Sequence, residues 1–298
     1  MGVFGSRLFE PSDFIGEFPI DAHVGAFRQE KSGSGKPFLW FLSFGYAKER
    51  NSLVARKRPI LFLINYCIGI KMQRVLELIQ EVITNRKSDD FFQSFESDLE
   101  NWDLKKQYFK TLNNALVSLD IASWQLLKNK ALKHYNDYRI GQKKQGFFNQ
   151  LSEAFAYQHL ASLGYTDIKI LAEDKNKKTP DLSYVENGKK KYCEVKTVGI
   201  SDDEIERREA QGIYVDRQMY SQLSTQFFQK LDKDLEVARE QINAKGEGIV
   251  FVLIRLDDYA DSNMNKYREQ ITSFVDEPNP TKLVIKIEST GEVFSNLT

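Results

Sequence analysis

The sequence has few of the residues that build disulfide frameworks and soft-metal centres. Its 298 residues include two cysteines, Cys67 and Cys193, and three histidines that lie far apart. Two cysteines exclude a disulfide-rich scaffold and any zinc or iron–sulfur site that needs several thiolates. The wide separation of the histidines also argues against a histidine-rich metal centre.

Long apolar runs and net charge are lacking as well. The longest apolar run, residues 60–70, is interrupted by Asn65 and falls well short of the roughly 20 residues that span a bilayer. No apolar segment with a small-residue cleavage site marks a signal peptide near the N-terminus. Lys plus Arg and Asp plus Glu both number 42, so the net charge is zero, unlike that of a histone-like protein. We therefore expect a soluble, cytoplasmic protein without a membrane contact.

Hydrophobic patterning divides the chain into two parts. Residues 1–45, rich in Phe, Gly and Ser, predict short strands and turns. Helical spacing of apolar residues follows from Pro59 to about Arg86, and residues 89–138 predict one or two further helices. A polar segment bracketed by glycines, residues 141–146, marks a boundary. We predict an N-terminal domain over residues 1–140, mostly helical and of unknown role, and a second domain over residues 146–298.

The second part alternates between helical and strand patterns, which predicts an α/β fold. Its centre is a hairpin, because Asn187-Gly188 is the strongest two-residue turn motif of the chain. The predicted order is helix 147–163, strand 168–171, strand 181–185, strand 191–198, helix 217–244, strand 249–256, helix 265–275 and strand 282–287.

The hairpin collects residues that suit metal-dependent chemistry. Glu194 and Lys196 share one face of their strand because they are two residues apart. Asp181 begins the partner strand directly after a proline, so the turn can bring its carboxylate beside that of Glu194. Two carboxylates beside one ammonium suit a hard cation such as Mg²⁺ and the water that it activates.

These motifs carry a resemblance to a known family. Thr179-Pro180-Asp181 followed by Tyr192-Cys193-Glu194-Val195-Lys196-Thr197 resembles the PD-(D/E)XK nuclease superfamily, which includes restriction endonucleases, Holliday-junction resolvases and repair nucleases. Glu153, between Gly146 and Gly164-Tyr165, matches the glutamate that members often carry on the first helix. The resemblance covers residues 146–256 and implies a restriction-endonuclease-like core, a mixed central sheet flanked by helices in the order αβββαβ.

The resemblance also implies the site and its chemistry. Metal-dependent cleavage of phosphodiester bonds with Mg²⁺ or Mn²⁺ is expected, on DNA in preference to RNA. Many relatives act as homodimers, so a homodimer is compatible with it. The implied catalytic set is Asp181, Glu194, Lys196 and Glu153; the implied metal ligands are Asp181, Glu194, Glu153 and the Val195 carbonyl; the implied supporting residues are Gln222 and Gln226.

Ordinary structural roles compete with each of these assignments. Acid-x-Lys triplets also occur at residues 103–105, 167–169 and 173–175, so the triplet alone is uninformative. Asp181 would also suit a turn, and Glu194 with Lys196 a solvated cross-strand ion pair. Glu153 would also suit a solvated helix face.

Two basic clusters are candidates for binding nucleic acid. Lys189, Lys190 and Lys191 flank the hairpin turn, and Arg56, Lys57 and Arg58 form the densest cluster of the first part. Residues 1–140 hold 20 Lys/Arg against 16 Asp/Glu, whereas residues 141–298 hold 22 against 26. This asymmetry favours the N-terminal part as the phosphate-binding surface.

One other function and one variant of the nuclease hypothesis remain open from the sequence. A nuclease-like fold with an idle site could bind nucleic acid or a protein partner without cleaving. Alternatively, the N-terminal part could be a sensor that gates cleavage, as in a defence system. The presence of every expected site residue favours an active nuclease over an idle module.

Overall fold

The helices and strands are defined by a computed structural model that describes residues 72–137, 144–174, 179–199, 221–256, 263–278 and 281–297. Within those ranges the chain forms seven helices and one six-stranded sheet. The helices are α1 (Gln73–Asn85), α2 (Phe95–Asn101), α3 (Asp103–Ser118), α4 (Ile121–Lys133), α5 (Gln145–Ser162), α6 (Thr225–Asn243) and α7 (Met264–Asp276). The strands are β1 (Thr166–Ile170), β2 (Leu182–Glu186), β3 (Lys189–Val198), β4 (Gly248–Ile254), β5 (Lys282–Ile287) and β6 (Val293–Ser295).

The sheet is mixed, and its strands lie side by side in chain order from β1 to β6. Strands β1, β2 and β3 are antiparallel, β3, β4 and β5 are parallel, and β6 returns antiparallel to β5. Each parallel connection carries a helix, α6 before β4 and α7 before β5, as parallel pairing requires. The predicted α/β class is therefore confirmed for the described residues.

The β2–β3 hairpin has the predicted turn. Asn187 and Gly188 both adopt positive φ, 51° and 72°, as a two-residue turn with the twist of the flanking strands requires. The ladder pairs Leu182 with Cys193. Position 181 therefore lies opposite position 194 at the open end of the hairpin.

Helices cover both faces of the sheet. Helices α1 to α5 share one hydrophobic core with Cys193 and with Ile249, Phe251 and Leu253 of β4. Helices α6 and α7 share a second core with the alternate β4 residues Val250, Val252 and Ile254. The unbroken apolar sequence of β4 is explained by this burial on both faces. None of the described helices has the length and apolar composition to cross a membrane.

Besides shifts of one or two residues at strand ends, the elements differ from the sequence prediction in three respects. The region 89–138 holds three helices, α2, α3 and α4, because Trp102 adopts an extended conformation and Asp120 caps α4 through the Ser123 N–H. Helix α6 begins at Thr225, where Ser224 caps it by accepting from the Phe227 N–H at 3.1 Å. Strand β6 was not expected; it is three residues long and pairs with β5.

The helices that precede the predicted boundary pack on the helix that follows it. Leu127 of α4 and Leu151 of α5 belong to the same hydrophobic core. The division at residues 141–146 remains a prediction. The strands and turns expected over residues 1–45 and the helix expected from Pro59 to residue 71 lie outside the described residues.

Gly248 provides a test of the β3–β4 contact. A Cβ atom at this position would lie 1.8 Å from the carbonyl oxygen of Tyr192 on β3. We expect Gly248→Ala to lower the free energy of unfolding by about 3–4 kcal/mol, because the parallel ladder must separate. Urea unfolding at neutral pH measures the loss.

Gly164→Ala is the matched control. Gly164 has a φ of 81°, and a Cβ atom added to it would meet no other atom within 4 Å, so its substitution should cost about 1–2 kcal/mol through backbone strain alone. Equal losses in the two variants would contradict the close approach at Gly248.

Candidate active site

The hairpin holds Asp181 beside β3. The Val195 N–H donates to Asp181 Oδ2 at 2.8 Å. The ladder ends at the Leu182–Cys193 pair, so its continuation by one residue places Asp181 opposite Glu194. Burial raises the pKa of Asp181 despite the nearby ammonium groups of Lys130 and Lys196. The carboxylate is thus fixed at the point where β2 begins.

Glu194 and Lys196 form an ion pair on the α6 face of β3. Lys196 Nζ donates to Glu194 Oε1 at 2.8 Å and to Gln241 Oε1 of α6 at 3.2 Å. Glu194 is 3% exposed, and its Oε2 has no hydrogen-bond partner within the described part of the chain. Burial, followed by the charge of Asp181, raises the pKa of Glu194 to about 7.

Glu153 and Lys130 form a second ion pair that also reaches Asp181. Lys130 Nζ, from α4, donates to Glu153 Oε1 of α5 and lies 3.9 Å from Asp181 Oδ1. Burial and the charge of Asp181 hold the pKa of Glu153 well above its usual range. Burial alone would lower the pKa of Lys130, but the Glu153 and Asp181 carboxylates outweigh it and raise that pKa.

The two pairs and Asp181 together form the carboxylate cluster: Glu153, Asp181 and Glu194 with Lys130 and Lys196. The cluster holds three carboxylates and two ammonium groups, with Asp181 as the shared member. Cys193 is buried near all three carboxylates. Burial, and then the charges of these carboxylates, hold the pKa of its thiol well above the usual value. Cys193 is a small side chain of the hydrophobic core.

The carboxylate cluster contains oxygen ligands of the kind that hard divalent cations bind. No three or more His, Cys, Asp or Glu side chains are arranged as a metal-binding group among the described residues. Asp181 and Glu194 nevertheless lie opposite each other, and Glu194 Oε2 is a buried carboxylate oxygen without a partner in those same residues. Carboxylate oxygens are the ligands that Mg²⁺ takes, usually one or two from the protein. The pair therefore fits such an ion.

A buried polar network holds helix α5 and strand β3, which carry residues of the cluster, at a fixed separation. Thr197 Oγ1 of β3 donates to Ser152 Oγ of α5 at 2.9 Å, and an Arg255 guanidinium nitrogen donates to the same oxygen at 3.1 Å. Arg255 also pairs with Glu288, and both side chains are buried. Since Ser152 precedes Glu153 and Thr197 follows Lys196, this network sets the spacing between α5 and β3.

The structure brings the predicted catalytic residues Asp181, Glu194, Lys196 and Glu153 together. Val195 takes part through its N–H, and the role of its carbonyl as a ligand remains a prediction. Gln222 and Gln226 are exposed, before and at the start of α6. Gln226 is about 22 Å along the helix axis from Gln241, so it does not join the cluster.

The predicted basic residues are not part of the cluster. Lys189 and Lys190 are exposed at the hairpin. Lys191 instead forms ion pairs with Glu186 and Glu247. The second basic group, Arg56 to Arg58, lies outside the described residues.

Lys130 and Gln241 were not predicted from the sequence. Lys130 lies between Leu127 and Ala131, which are both buried, so a lysine on an apolar helix face is the signal that could have identified it. Gln241 lies beside the buried Ile242 near the end of α6, where no comparable signal exists.

Comparison of the chain with protein-family models, with curated proteins and with solved structures finds no match. A function must therefore be argued from the residues and geometry of the carboxylate cluster.

The pKa of Glu194 predicts a pH dependence of stability. Its pKa rises from 4.5 in the unfolded chain to about 7 in the folded protein, so the folded state binds the proton more tightly. Stability should fall as pH rises from about 4.5 to 7 and stay lower above it. Without divalent metal, Glu194→Gln should increase the free energy of unfolding at pH 8 by roughly 3 kcal/mol and change it little at pH 4.

Urea unfolding across this pH range, in buffer with EDTA, measures the effect. Glu247→Gln is the control, because its side chain is 83% exposed and its removal should change stability by at most about 0.5 kcal/mol. A Glu194→Gln effect that is the same at both pH values would contradict the raised pKa.

Proposed function

We propose that the chain is a nuclease of the PD-(D/E)XK type that hydrolyses phosphodiester bonds with Mg²⁺ or Mn²⁺. The observation that carries the proposal is the hairpin, in which Asp181 lies opposite Glu194 and Lys196 Nζ lies 2.8 Å from Glu194 Oε1. DNA is the preferred substrate class in this proposal, with RNA second, as the family resemblance implies.

The order of elements supports the same proposal. Helix α5, strands β1, β2 and β3, helix α6 and strand β4 follow one another as αβββαβ. This is the order that a restriction-endonuclease-like core would have. Asp181 directly precedes the second of its strands and the Glu194-Val195-Lys196 triplet lies on the third, which is the placement that the resemblance implies.

Each side chain has a distinct chemical role in this proposal. Asp181 and Glu194 would hold the ion, which supplies an activated water and neutralises charge on the phosphate. The Lys196 ammonium can donate to the attacking water and offset the charge that develops on the phosphoryl oxygens. Gln241 accepts from Lys196 and so orients it. Direct attack by water needs no covalent intermediate.

Cleavage assays test the proposal. We expect the protein to cut plasmid or oligonucleotide DNA with Mg²⁺ or Mn²⁺ and not with EDTA. Asp181→Asn and Lys196→Ala should each lower the rate by about 100-fold or more, since they remove ion binding and transition-state stabilisation.

Asp276→Asn and Lys245→Ala are matched controls at exposed positions of the same part of the chain and should keep the wild-type rate. Activity that survives Asp181→Asn and Lys196→Ala would overturn the nuclease assignment. A wild-type protein that binds DNA without cutting it would instead support the idle nuclease-like module.

The salt dependence of DNA binding tests the proposed phosphate contacts. Each lost contact should reduce the slope of log K against log salt by about 0.9. Lys189→Ala with Lys190→Ala should reduce it by up to about two, and neutralising Arg56, Lys57 and Arg58 by up to about three.

Fluorescence anisotropy with a duplex oligonucleotide in EDTA measures these slopes. Lys233→Ala with Lys245→Ala removes the same charge as the hairpin variant from exposed positions elsewhere and should leave the slope unchanged. Unchanged slopes in the hairpin and Arg56–Arg58 variants would mean that neither basic cluster contacts phosphate.

A further inference from the structure

Lys130 reaches the carboxylate cluster from outside the segment that resembles the nuclease superfamily. It lies on α4, is 5% exposed, and its ammonium is bound to Glu153 Oε1 and lies 3.9 Å from Asp181 Oδ1. A lysine is stable in such a position where carboxylates compensate for the loss of water. Lys130 thus lies between two carboxylates, at a place where a small cation could otherwise neutralise their charge.

The charge of the cluster limits how many metal ions it can accept. When all five groups are ionised, the three carboxylates and two ammonium groups leave one net negative charge. One divalent ion changes this to one net positive charge, whereas two would leave three positive charges in a buried site. Like charges at such short range and low dielectric repel strongly. The net charge of the cluster therefore favours one bound divalent ion over two.

The arrangement of oxygens also separates Glu153 from the ion. Glu153 Oε1 accepts from Lys130 on the α5 side of the sheet. Glu194 lies opposite Asp181 and presents an Oε2 without a partner among the described residues. Glu153 Oε2 is likewise without one there, but the Lys130 ammonium lies between Glu153 and Asp181, bound to the first and 3.9 Å from Oδ1 of the second.

We propose that Lys130 is a fixed cation that takes the place of a second metal ion. The site then binds one divalent ion through Asp181 and Glu194, and Glu153 positions Lys130 instead of coordinating that ion. This inference rests on the proposed metal-dependent activity. Lys130 is a positioning residue here, because it acts on the reaction through the carboxylates that it neutralises.

Calorimetric titration of the full chain with Mn²⁺ is the test. The wild type should bind one ion, and Asp181→Asn should abolish that binding. Lys130→Met removes the charge at similar volume, so the more negative cluster should bind a second Mn²⁺ or bind the first about tenfold more tightly. Lys130→Arg keeps the charge and should bind as the wild type does.

The double variant Lys130→Met with Glu153→Gln keeps the test decisive if Lys130→Met fails to fold. It removes one charge of each sign, and replacing both members of a buried ion pair by neutral groups is often tolerated. We expect one Mn²⁺ with an affinity within about fivefold of the wild type. A greater loss would mean that Glu153 coordinates the ion and would overturn the inference.

The remaining outcomes separate this inference from the proposed function. If folded Lys130→Met binds Mn²⁺ with wild-type stoichiometry and affinity, while Asp181→Asn abolishes binding, the role of Lys130 is wrong and the metal site stands. If the wild type shows no Mn²⁺ binding that Asp181→Asn removes, the metal-dependent function fails, and the inference with it.

Discussion

The burial of Glu153 and Glu194 beside the partly exposed Asp181, at one end of the β2–β3 ladder, is the constraint on which the site depends. Negative charges at this depth repel one another and lose the solvation of water, so the folded protein must supply cations. It supplies two, Lys196 from the same strand as Glu194 and Lys130 from a helix on the opposite side of the sheet. Asp181 lies between them, and the charge of each ammonium group acts to lower its pKa.

The rest of the fold holds these five groups at fixed separations. Strand β3 is paired on both sides and covered on both faces, so Glu194 and Lys196 have little freedom to move apart. The network of Arg255 and Glu288 ties helix α5 to the parallel strands. The fully buried Arg255–Glu288 pair adds little net stability, but removing one of its two partners is costly. The carboxylate cluster is therefore rigid before any ligand arrives.

Local chemistry explains which features could be predicted from the sequence. The Asn187-Gly188 turn and the alternation around Glu194 are short-range patterns, and they predicted the hairpin and the shared face of Glu194 and Lys196. The register that brings position 181 to position 194 was not fixed by the sequence. The start of α6 depends on the Ser224 cap, and the break between α2 and α3 on the conformation of Trp102. Lys130 and Gln241 entered the site through tertiary packing of distant helices, which no local spacing encodes. Gln222 and Gln226 were predicted from the apolar spacing of the long helix. They lie before and at the start of α6, whereas Gln241 near its end contacts the cluster.

The packing of α4 on α5 makes the site depend on residues from both sides of the predicted boundary at residues 141–146. A gene fragment cut between these helices would encode Asp181, Glu194 and Lys196, but it would lack the ammonium that neutralises Glu153. It would also expose Phe147, Phe148 and Leu151, which the preceding helices cover. Such a fragment would tend to aggregate. Recombination within this chain is therefore constrained at a point where the sequence looks like a linker.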